Sequence, residues 1–227
     1  ADVKGHWAEA EIHRVLELGL MDGRTDAAFA PDANITRAEL VTALYRLDGA
    51  PALPGGAHES PFTDVAAADP CFDAVYWAND YGFVNGKGGG LFAPDGDVKR
   101  QEIAKILNLF AAFRVNRTEA LESREDKLSG YADAAQVAGW AKDYMNWAVA
   151  SEFITGVTRD TLVPEGTATR AQAAAILCRY MDDASTGDAS KDNPRNQDDI
   201  GRNELLVVSF GTSFNDNRVA TIGAIEA

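Results

Sequence analysis

The sequence predicts a mainly α-helical fold built from three copies of a helix–loop–helix unit. Short motifs recur in a fixed register through most of the chain, which indicates an internal repeat. Within each copy, apolar residues recur at helical spacing on both sides of a loop that contains glycine and proline. An apolar, β-branched segment near the C-terminus departs from this pattern and predicts one short strand from a truncated α/β domain.

The register of the repeats is set by three kinds of residue. Pro31, Pro94 and Pro164 are 63 and 70 residues apart. The same two offsets separate three glycines and three arginines: Gly23, Gly86 and Gly156, and Arg37, Arg100 and Arg170. Three residue types in one register are not expected by chance, so the chain is interpreted as a threefold repeat.

The first helix of each repeat is predicted from its apolar stripe, which in the first copy ends at Gly19 and Gly23. That stripe consists of Trp7, Ile12, Val15, Leu16 and Leu20. Trp77 and Trp147 occupy matching positions in the other two copies. They are predicted to pack the first helix against its neighbours.

A loop over residues 22–32 connects the two helices of the first repeat. Pro31 disfavours helical backbone at the residue before it, so an extended conformation is predicted at Ala30. The second helix is predicted from Thr36 to about Leu47 on the spacing of its apolar residues.

The start of the second helix carries a predicted cap. Capping boxes are predicted for two repeats: Thr36 with Glu39, and Thr169 with Gln172. In the second repeat, Lys99 replaces the threonine and its ammonium group cannot accept a hydrogen bond. We therefore expect this helix to be less well capped, unless Asp97 supplies the acceptor.

An arginine follows the capping position in every repeat. A cation at a helix N-terminus is opposed by the macrodipole, by about 0.3–1 kcal/mol, so its presence in all three copies indicates a shared task. One interpretation is a site where the guanidinium and the helix N-terminal amides bind one anion. Replacing Arg37 with alanine would then leave the fold stable. The alternative is a salt bridge to a nearby aspartate, such as Asp32 or Asp95.

At these residues the chain resembles the S-layer homology family. The matching motifs are the aspartates Asp2, Asp64 and Asp133 that open each copy, Trp-Ala, the loop glycine, Phe-x-Pro and Thr-Arg-Ala-Glu/Gln, within residues 1–183. The resemblance implies a pseudo-threefold, three-pronged arrangement within one chain. It also implies that grooves between adjacent repeats bind a secondary cell-wall polysaccharide, often carrying pyruvylated N-acetylmannosamine, or a peptidoglycan-linked glycan.

The resemblance and the residue chemistry together give a candidate ligand-binding set. It comprises the repeated glycines and arginines and the residues that end the arginine motif: Glu39, Glu102 and Gln172. Arg24 and Lys87, each directly after a loop glycine, are expected to add positive charge, and Lys99 is expected to make the second pocket more basic. Val157 stands at the matching position of the third repeat, where a weaker or differently shaped pocket is expected.

Two tryptophans complete this set. Trp7 and Trp140 either stack on the apolar face of a sugar or fill the core, and the sequence leaves both interpretations open. The second repeat has Pro70 at the matching position. The first repeat is therefore expected to carry the most complete groove.

Composition argues against several classes of function. The net charge of −14 disfavours nucleic-acid binding, which needs a basic face. An anionic polymer must therefore be recognised by local basic pockets. No run of about 18 apolar residues is present, so no membrane span is expected. No catalytic, metal or cofactor site is expected, and Cys71 and Cys178 are predicted to be small buried apolar side chains.

The repeats are predicted at residues 1–49, 62–113 and 131–183, separated and followed by linkers at residues 50–61, 114–130 and 184–203. The last segment, residues 204–227, resembles the first βα unit of an anaerobic (sirohydrochlorin) cobalt chelatase. Its predicted strand covers residues 205–210. The metal-binding histidines of that class would lie further along a longer protein.

These observations favour non-covalent anchoring of a secreted bacterial protein at the cell wall, by a unit expected to be monomeric. The chain itself carries no signal peptide, so this location is an expectation from the resemblance. Two alternatives remain open. In the first, the chain is a fragment of a surface-displayed cobalt chelatase. In the second, it is a module through which a surface array assembles.

Overall fold

A computed structural model describes residues 2–53, 58–117, 119–123 and 125–185. Two α-helices lie in each repeat: α1 (Glu9–Glu17), α2 (Arg37–Leu47), α3 (Phe72–Asp80), α4 (Arg100–Arg114), α5 (Lys142–Ala150) and α6 (Arg170–Ser185). Three 3₁₀ turns precede α5, at Leu128–Gly130, Ala134–Gln136 and Gly139–Ala141. The described segments contain isolated β-bridges and no longer strand. The mainly α-helical prediction is confirmed, while the predicted strand at residues 205–210 lies outside the described residues.

The second helices begin with the predicted caps. Thr36 Oγ1 accepts from the Glu39 amide at 3.2 Å, and Glu39 Oε2 accepts from the Thr36 amide at 2.8 Å. Thr169 and Gln172 repeat this exchange at the start of α6. At α4 only half of the box is present, because Glu102 accepts from the Lys99 amide at 3.0 Å while Lys99 offers no acceptor.

Asp97 does not replace the missing cap of α4. Its carboxylate accepts instead from the side-chain amide of Asn34 at 2.7 Å. That amide group also accepts from the Thr167 hydroxyl at 3.1 Å. These three residues hold matching positions in the three repeats, so they form a polar contact between all three copies.

A closed ring of backbone hydrogen bonds joins the three repeats. The Ile35 amide donates to Ala168 O at 3.0 Å, the Ala168 amide to Val98 O at 2.9 Å, and the Val98 amide to Ile35 O at 3.3 Å. All three side chains are fully buried. Because matching residues contact one another in cyclic order, the repeats are arranged about a pseudo-threefold axis, as the resemblance implied.

The apolar core surrounds this axis and extends between the two helices of each repeat. Trp77 is 2% exposed and packs against several aromatic rings, including Phe83 and Phe110 in edge-to-face geometry. Trp147 is also buried and packs against Phe153. The predicted core role of these two tryptophans is confirmed. None of the described helices is both long and apolar enough to cross a bilayer.

The backbone before each repeated proline differs from the sequence prediction. Ala30 has a φ of 59°, in the left-handed region and not in the predicted extended region. Asp2 explains this conformation, because its carboxylate accepts from the Phe29 amide at 3.1 Å and the Ala30 amide at 2.6 Å. The hydrogen bond from Ala30 lowers the pKa of the Asp2 carboxyl. Two charge-assisted hydrogen bonds thus offset a backbone cost of about 1–2 kcal/mol.

In the other two repeats, an aspartate carboxylate accepts hydrogen bonds from the loop amides in the same way. Ala93 and Val163 also have a positive φ, of 59° and 53°. The carboxylate of Asp64 accepts from the amides at positions 92 and 93, and that of Asp133 from the amides at positions 162 and 163. The aspartate at the start of each repeat therefore fixes the end of its own loop by hydrogen bonds.

Candidate functional site

The repeated arginines point into the molecule and cross to a neighbouring repeat. Arg37 Nε donates to Phe92 O and its Nη2 to Asn85 O, both at 2.8 Å. The guanidinium also lies over the Phe92 ring, with its central carbon 4.6 Å from the ring centroid. The side chain is 6% exposed. Arg37 therefore joins the first repeat to the loop of the second.

The other two arginines make matching contacts and complete the cycle. Arg100, at 4% exposed, donates to Leu162 O and Thr155 O, each at 2.6 Å. Arg170, at 2% exposed, donates to Phe29 O at 2.9 Å and to Asp22 O. Burial lowers the pKa of all three guanidinium groups. Each arginine is thus a buried link between successive repeats.

The helix N-terminal amides are also occupied by the protein itself. At α2 the Arg37 amide donates to Gly96 O at 2.9 Å and the Ala38 amide to Pro94 O at 3.0 Å, while Thr36 caps the third amide. The equivalent amides of α4 and α6 bond in the same way to loop carbonyls of the next repeat. The prediction that an anion binds at these N-termini is therefore wrong, because no amide is left for it.

The alternative prediction, a salt bridge to Asp32 or Asp95, is wrong as well. Both aspartates are exposed, and Asp32 contacts His6 instead. The carboxylate that meets a repeated arginine is Glu39, which pairs with Arg170 across the junction between the first and third repeats. The sequence predicted Glu39 in the cap of its own helix and in the ligand-binding set, but not this contact with Arg170.

Three grooves open beside these buried links, and each is lined by all three repeats. We name them groove 1, groove 2 and groove 3 after the repeat that supplies the loop glycine: Gly23, Gly86 or Gly156. The preceding repeat in the cycle supplies the arginine, and the following one supplies the residue at the Trp7 position. The cavity volumes are about 260, 220 and 460 Å³ for grooves 1, 2 and 3.

Groove 3 is bounded by Trp7 from the first repeat and Arg100 from the second. Trp7 is 61% exposed. Gln172, Val157 and Arg179 complete its polar and apolar lining, and none of the described residues that line it is acidic. Arg179 Nη1 donates to Phe153 O at 3.2 Å.

Groove 2 is bounded by Trp140, which is 51% exposed, and by Arg37. Lys87 and Lys105 also line it. Lys87 pairs with Glu102, and the ammonium group of Lys105 lies 5.7 Å from the centroid of the Trp140 ring. One face of this tryptophan is therefore already covered by a cation.

Groove 1 has Pro70 where the others have a tryptophan. Its two cations are both paired: Arg170 with Glu39, and Arg46 with Asp22 at 2.8 Å. Cys71, predicted to be buried, is only half-buried and lines this groove, whereas Cys178 is buried as predicted.

The comparisons with known proteins agree with the division of the chain into three repeats. The S-layer homology domain matches residues 1–41, 61–104 and 130–174, one match in each repeat. The chain belongs to the S-layer homology family. This membership confirms the resemblance seen in the motifs and the predicted cell-surface location.

Relatives of these S-layer homology repeats are much longer proteins. The chain is 30% identical over 181 residues to the surface-layer 125 kDa protein of Lysinibacillus sphaericus, covering 78% of this chain and 14% of that protein. It is 27% identical over 180 residues to exoglucanase XynX of Acetivibrio thermocellus, covering 78% of this chain and 16% of that protein. It is 26% identical over 163 residues to the cellulosome-anchoring protein of Acetivibrio thermocellus, covering 71% of this chain and 35% of that protein. Family and relatives together support cell-surface anchoring.

The loop glycines of the S-layer homology motif have a steric role. A Cβ atom on Gly23 would lie 2.6 Å from Thr25 O, and one on Gly156 would lie 2.1 Å from Thr158 O. On Gly86 it would lie 2.7 Å from Leu91 O. The loops therefore close too tightly for any side chain, which keeps the groove floor open.

Two of the predicted ligand-binding residues, Lys99 and Arg24, do not line a groove. Lys99 lies outside all three grooves and pairs with Glu165, so it does not make groove 2 more basic. Arg24 contacts Glu39 and Asn34 O beside groove 1 without lining it. Trp7 and Trp140 are not core residues.

The first repeat does not have the most complete groove, because its Trp7 lines groove 3. Three groove cations were not predicted from the sequence: Arg46, Lys105 and Arg179. These residues lie on the second helices and line the three grooves: Arg46 and Arg179 nine residues after the repeated arginine, and Lys105 five residues after it. The available signal in the sequence was a positively charged side chain on the same helix as each repeated arginine.

Proposed function

We propose that this chain anchors a bacterial surface protein non-covalently to an anionic secondary cell-wall polysaccharide, through the grooves between its S-layer homology repeats. The observation that carries the proposal is the pairing, in grooves 2 and 3, of an exposed tryptophan with a buried guanidinium beside a glycine floor. This combination offers an apolar stacking face and positive charge within one open cavity.

The exposed tryptophans support a sugar ligand. Trp7 and Trp140 leave more than half of their surface in water although neighbouring tryptophans are buried. An exposed large aromatic side chain at a groove is typical of a binding surface and not of a core. The apolar face of a pyranose ring fits such an indole, and the surrounding polar groups fit its hydroxyls.

Charge supports an anionic substituent on that sugar. The chain carries a net charge of −14, so its overall field repels an anionic polymer. The cations that line grooves 2 and 3 give these cavities a local charge of the opposite sign. A carboxylate, such as that of a pyruvyl ketal on N-acetylmannosamine, is the substituent that this chemistry suits.

No catalytic role is proposed for the repeats. The chain covers only 16% of exoglucanase XynX, a relative named as an enzyme. No comparison supports a cobalt chelatase assignment for residues 204–227, which lie outside the described residues.

Co-sedimentation with purified cell walls tests the proposal. Walls with their pyruvyl groups intact and walls from which these groups have been removed by mild acid are compared at equal mass. We expect the chain to pellet with intact walls and to remain in solution with depyruvylated walls. Equal binding to both would refute carboxylate recognition. Absence of binding together with concentration-dependent association in analytical ultracentrifugation would instead favour the self-assembly alternative.

A further inference from the structure

The three grooves differ in what faces the buried guanidinium. In groove 1 Arg170 pairs with Glu39. In groove 2 the carboxylate of Glu102 lies close enough to raise the pKa of Arg37, against the lowering effect of burial. In groove 3 the matching residue is Gln172, whose uncharged Oε1 lies 3.4 Å from Arg100 Nη1.

Groove 3 therefore contains a buried cation without an acidic partner. Within the described part of the chain, neither Arg100 nor Arg179 forms an ion pair. Burial and the neighbouring charge of Arg179 both lower the pKa of Arg100. Asp133 opposes this effect, but its carboxylate is bound by the amides of Leu162 and Val163. Asp2 and Asp64 are bound by the matching amides of their own repeats, so this contact does not distinguish the grooves.

Groove 3 also differs from the other grooves in the volume of its cavity. Its cavity of about 460 Å³ is roughly twice that of groove 2, at about 220 Å³. Ala175 occupies the position that Lys105 holds in groove 2, and Val157 occupies that of Lys87. These shorter side chains leave the floor of groove 3 open.

A second guanidinium completes groove 3. Arg179 Nη1 is held by Phe153 O at 3.2 Å and by Thr155 Oγ1 at 3.4 Å, while the other donors of its planar fork suit a carboxylate. The matching residue in groove 1, Arg46, is already paired with Asp22. In the second repeat the matching residue is Leu109, which is apolar.

We propose that Gln172 is the specificity-determining residue of the chain: by leaving Arg100 without a carboxylate, it makes groove 3 the principal site for a carboxylate-bearing sugar. This inference rests on the proposed function and deepens it. Arg179 binds the carboxylate, Trp7 stacks on the sugar ring, and Arg100 supplies the uncompensated positive charge beneath them. Groove 1, whose charges are paired internally and which lacks the tryptophan, contributes little.

Isothermal titration with a matched pair of small probes tests this assignment. The probes are the methyl glycoside of pyruvylated N-acetylmannosamine and its uncharged methyl ester. The proteins are the full chain, its Gln172→Glu variant and its Gln136→Glu variant. Gln136 is exposed and lines no groove, so it controls for the added negative charge. Glutamate already fills the capping position in the other repeats, so Gln172→Glu preserves the fold, which a thermal melt verifies.

We expect Gln172→Glu to weaken binding of the acid probe at least about tenfold, since a carboxylate beside a partly buried anion is strongly repelled. Binding of the ester should change little, and Gln136→Glu should match the unmodified chain. Arg179→Gln provides a second measurement and should also weaken binding of the acid more than that of the ester.

The outcomes separate the two proposals. If the unmodified chain binds neither walls nor probe, the anchoring function itself fails. If it binds walls but not the acid probe, or if Gln172→Glu and Arg179→Gln both leave the affinity for the acid unchanged, the anchoring function stands and the assignment to groove 3 is overturned.

Discussion

Replacing Arg37 with alanine distinguishes a buried link between repeats from an arginine held only for a ligand. The substitution removes two hydrogen bonds from a charged donor to the carbonyl oxygens of Phe92 and Asn85. It leaves these acceptors in a site where Arg37 itself is only 6% exposed. Hydrogen bonds to charged groups contribute about 1.5–3 kcal/mol each, so the expected loss of unfolding free energy is about 3–6 kcal/mol.

Urea unfolding followed by circular dichroism at 222 nm measures this loss. For a chain of this size, a loss of about 3–6 kcal/mol corresponds to a fall in Tm of roughly 6–24 °C in a parallel thermal melt. Arg159→Ala is the matched control, because Arg159 is exposed and its removal should change stability by less than about 0.5 kcal/mol. If Arg37→Ala proved as stable as Arg159→Ala, the structural role of the arginine would be refuted and the ligand-only interpretation restored.

Three further predictions concern the helix caps, the core and pH. Thr36→Ala should lower the unfolding free energy by about 1 kcal/mol because a helix cap is lost. Lys99→Ala should cause no such loss, since the Lys99 side chain caps no helix. Parallel urea titrations of the two variants compare these effects. Trp77→Ala should cost about 3–5 kcal/mol by leaving a cavity in the aromatic core, and a calorimetric Tm close to that of the unmodified chain would contradict this. Burial raises the pKa of the Glu39 carboxyl, but hydrogen bonds from Arg24 and the Thr36 amide outweigh this effect and hold the pKa below its ordinary value. The stabilisation from Glu39 should therefore be present above the ordinary glutamate pKa and lost as pH falls through the lowered value. Glu39→Gln should flatten the dependence of Tm on pH in this acid range. An unchanged slope of Tm against pH in the variant would contradict this role of Glu39.

Local signals in the sequence were enough to locate the repeats and their helix starts. A capping box involves residues three positions apart, so Thr36 with Glu39 and Thr169 with Gln172 were visible without knowledge of the fold. The burial of Trp77 and Trp147 followed from their place on an apolar helical stripe. Both kinds of prediction depend on contacts within one element or one repeat.

The candidate site was less predictable because every groove is shared by three repeats. Arg37 belongs to groove 2 and Trp7 to groove 3, although each was assigned to the pocket of its own repeat. An arginine side chain is long enough to reach the adjacent loop, and only the cyclic order of the repeats decides which loop that is. The sequence offers no local signal for this order.

The conformation of Ala30 shows a similar limit. A following proline disfavours the helical region and predicts an extended residue. Asp2, at the start of the repeat, accepts hydrogen bonds from the amides of Phe29 and Ala30 and so selects the left-handed region. A contact between residues 28 positions apart thus overrides a preference set by the nearest neighbour.

Indole N–H resonances offer the most direct test of the claim that the grooves hold the wall polymer. The chain has four tryptophans: Trp7 and Trp140 at grooves, and Trp77 and Trp147 in the core. Adding solubilised wall polysaccharide to ¹⁵N-labelled protein should shift or broaden the indole resonance of Trp7 first and that of Trp140 second, with the two core resonances unchanged. Polysaccharide that binds while the Trp7 and Trp140 resonances both stay in place would contradict the account.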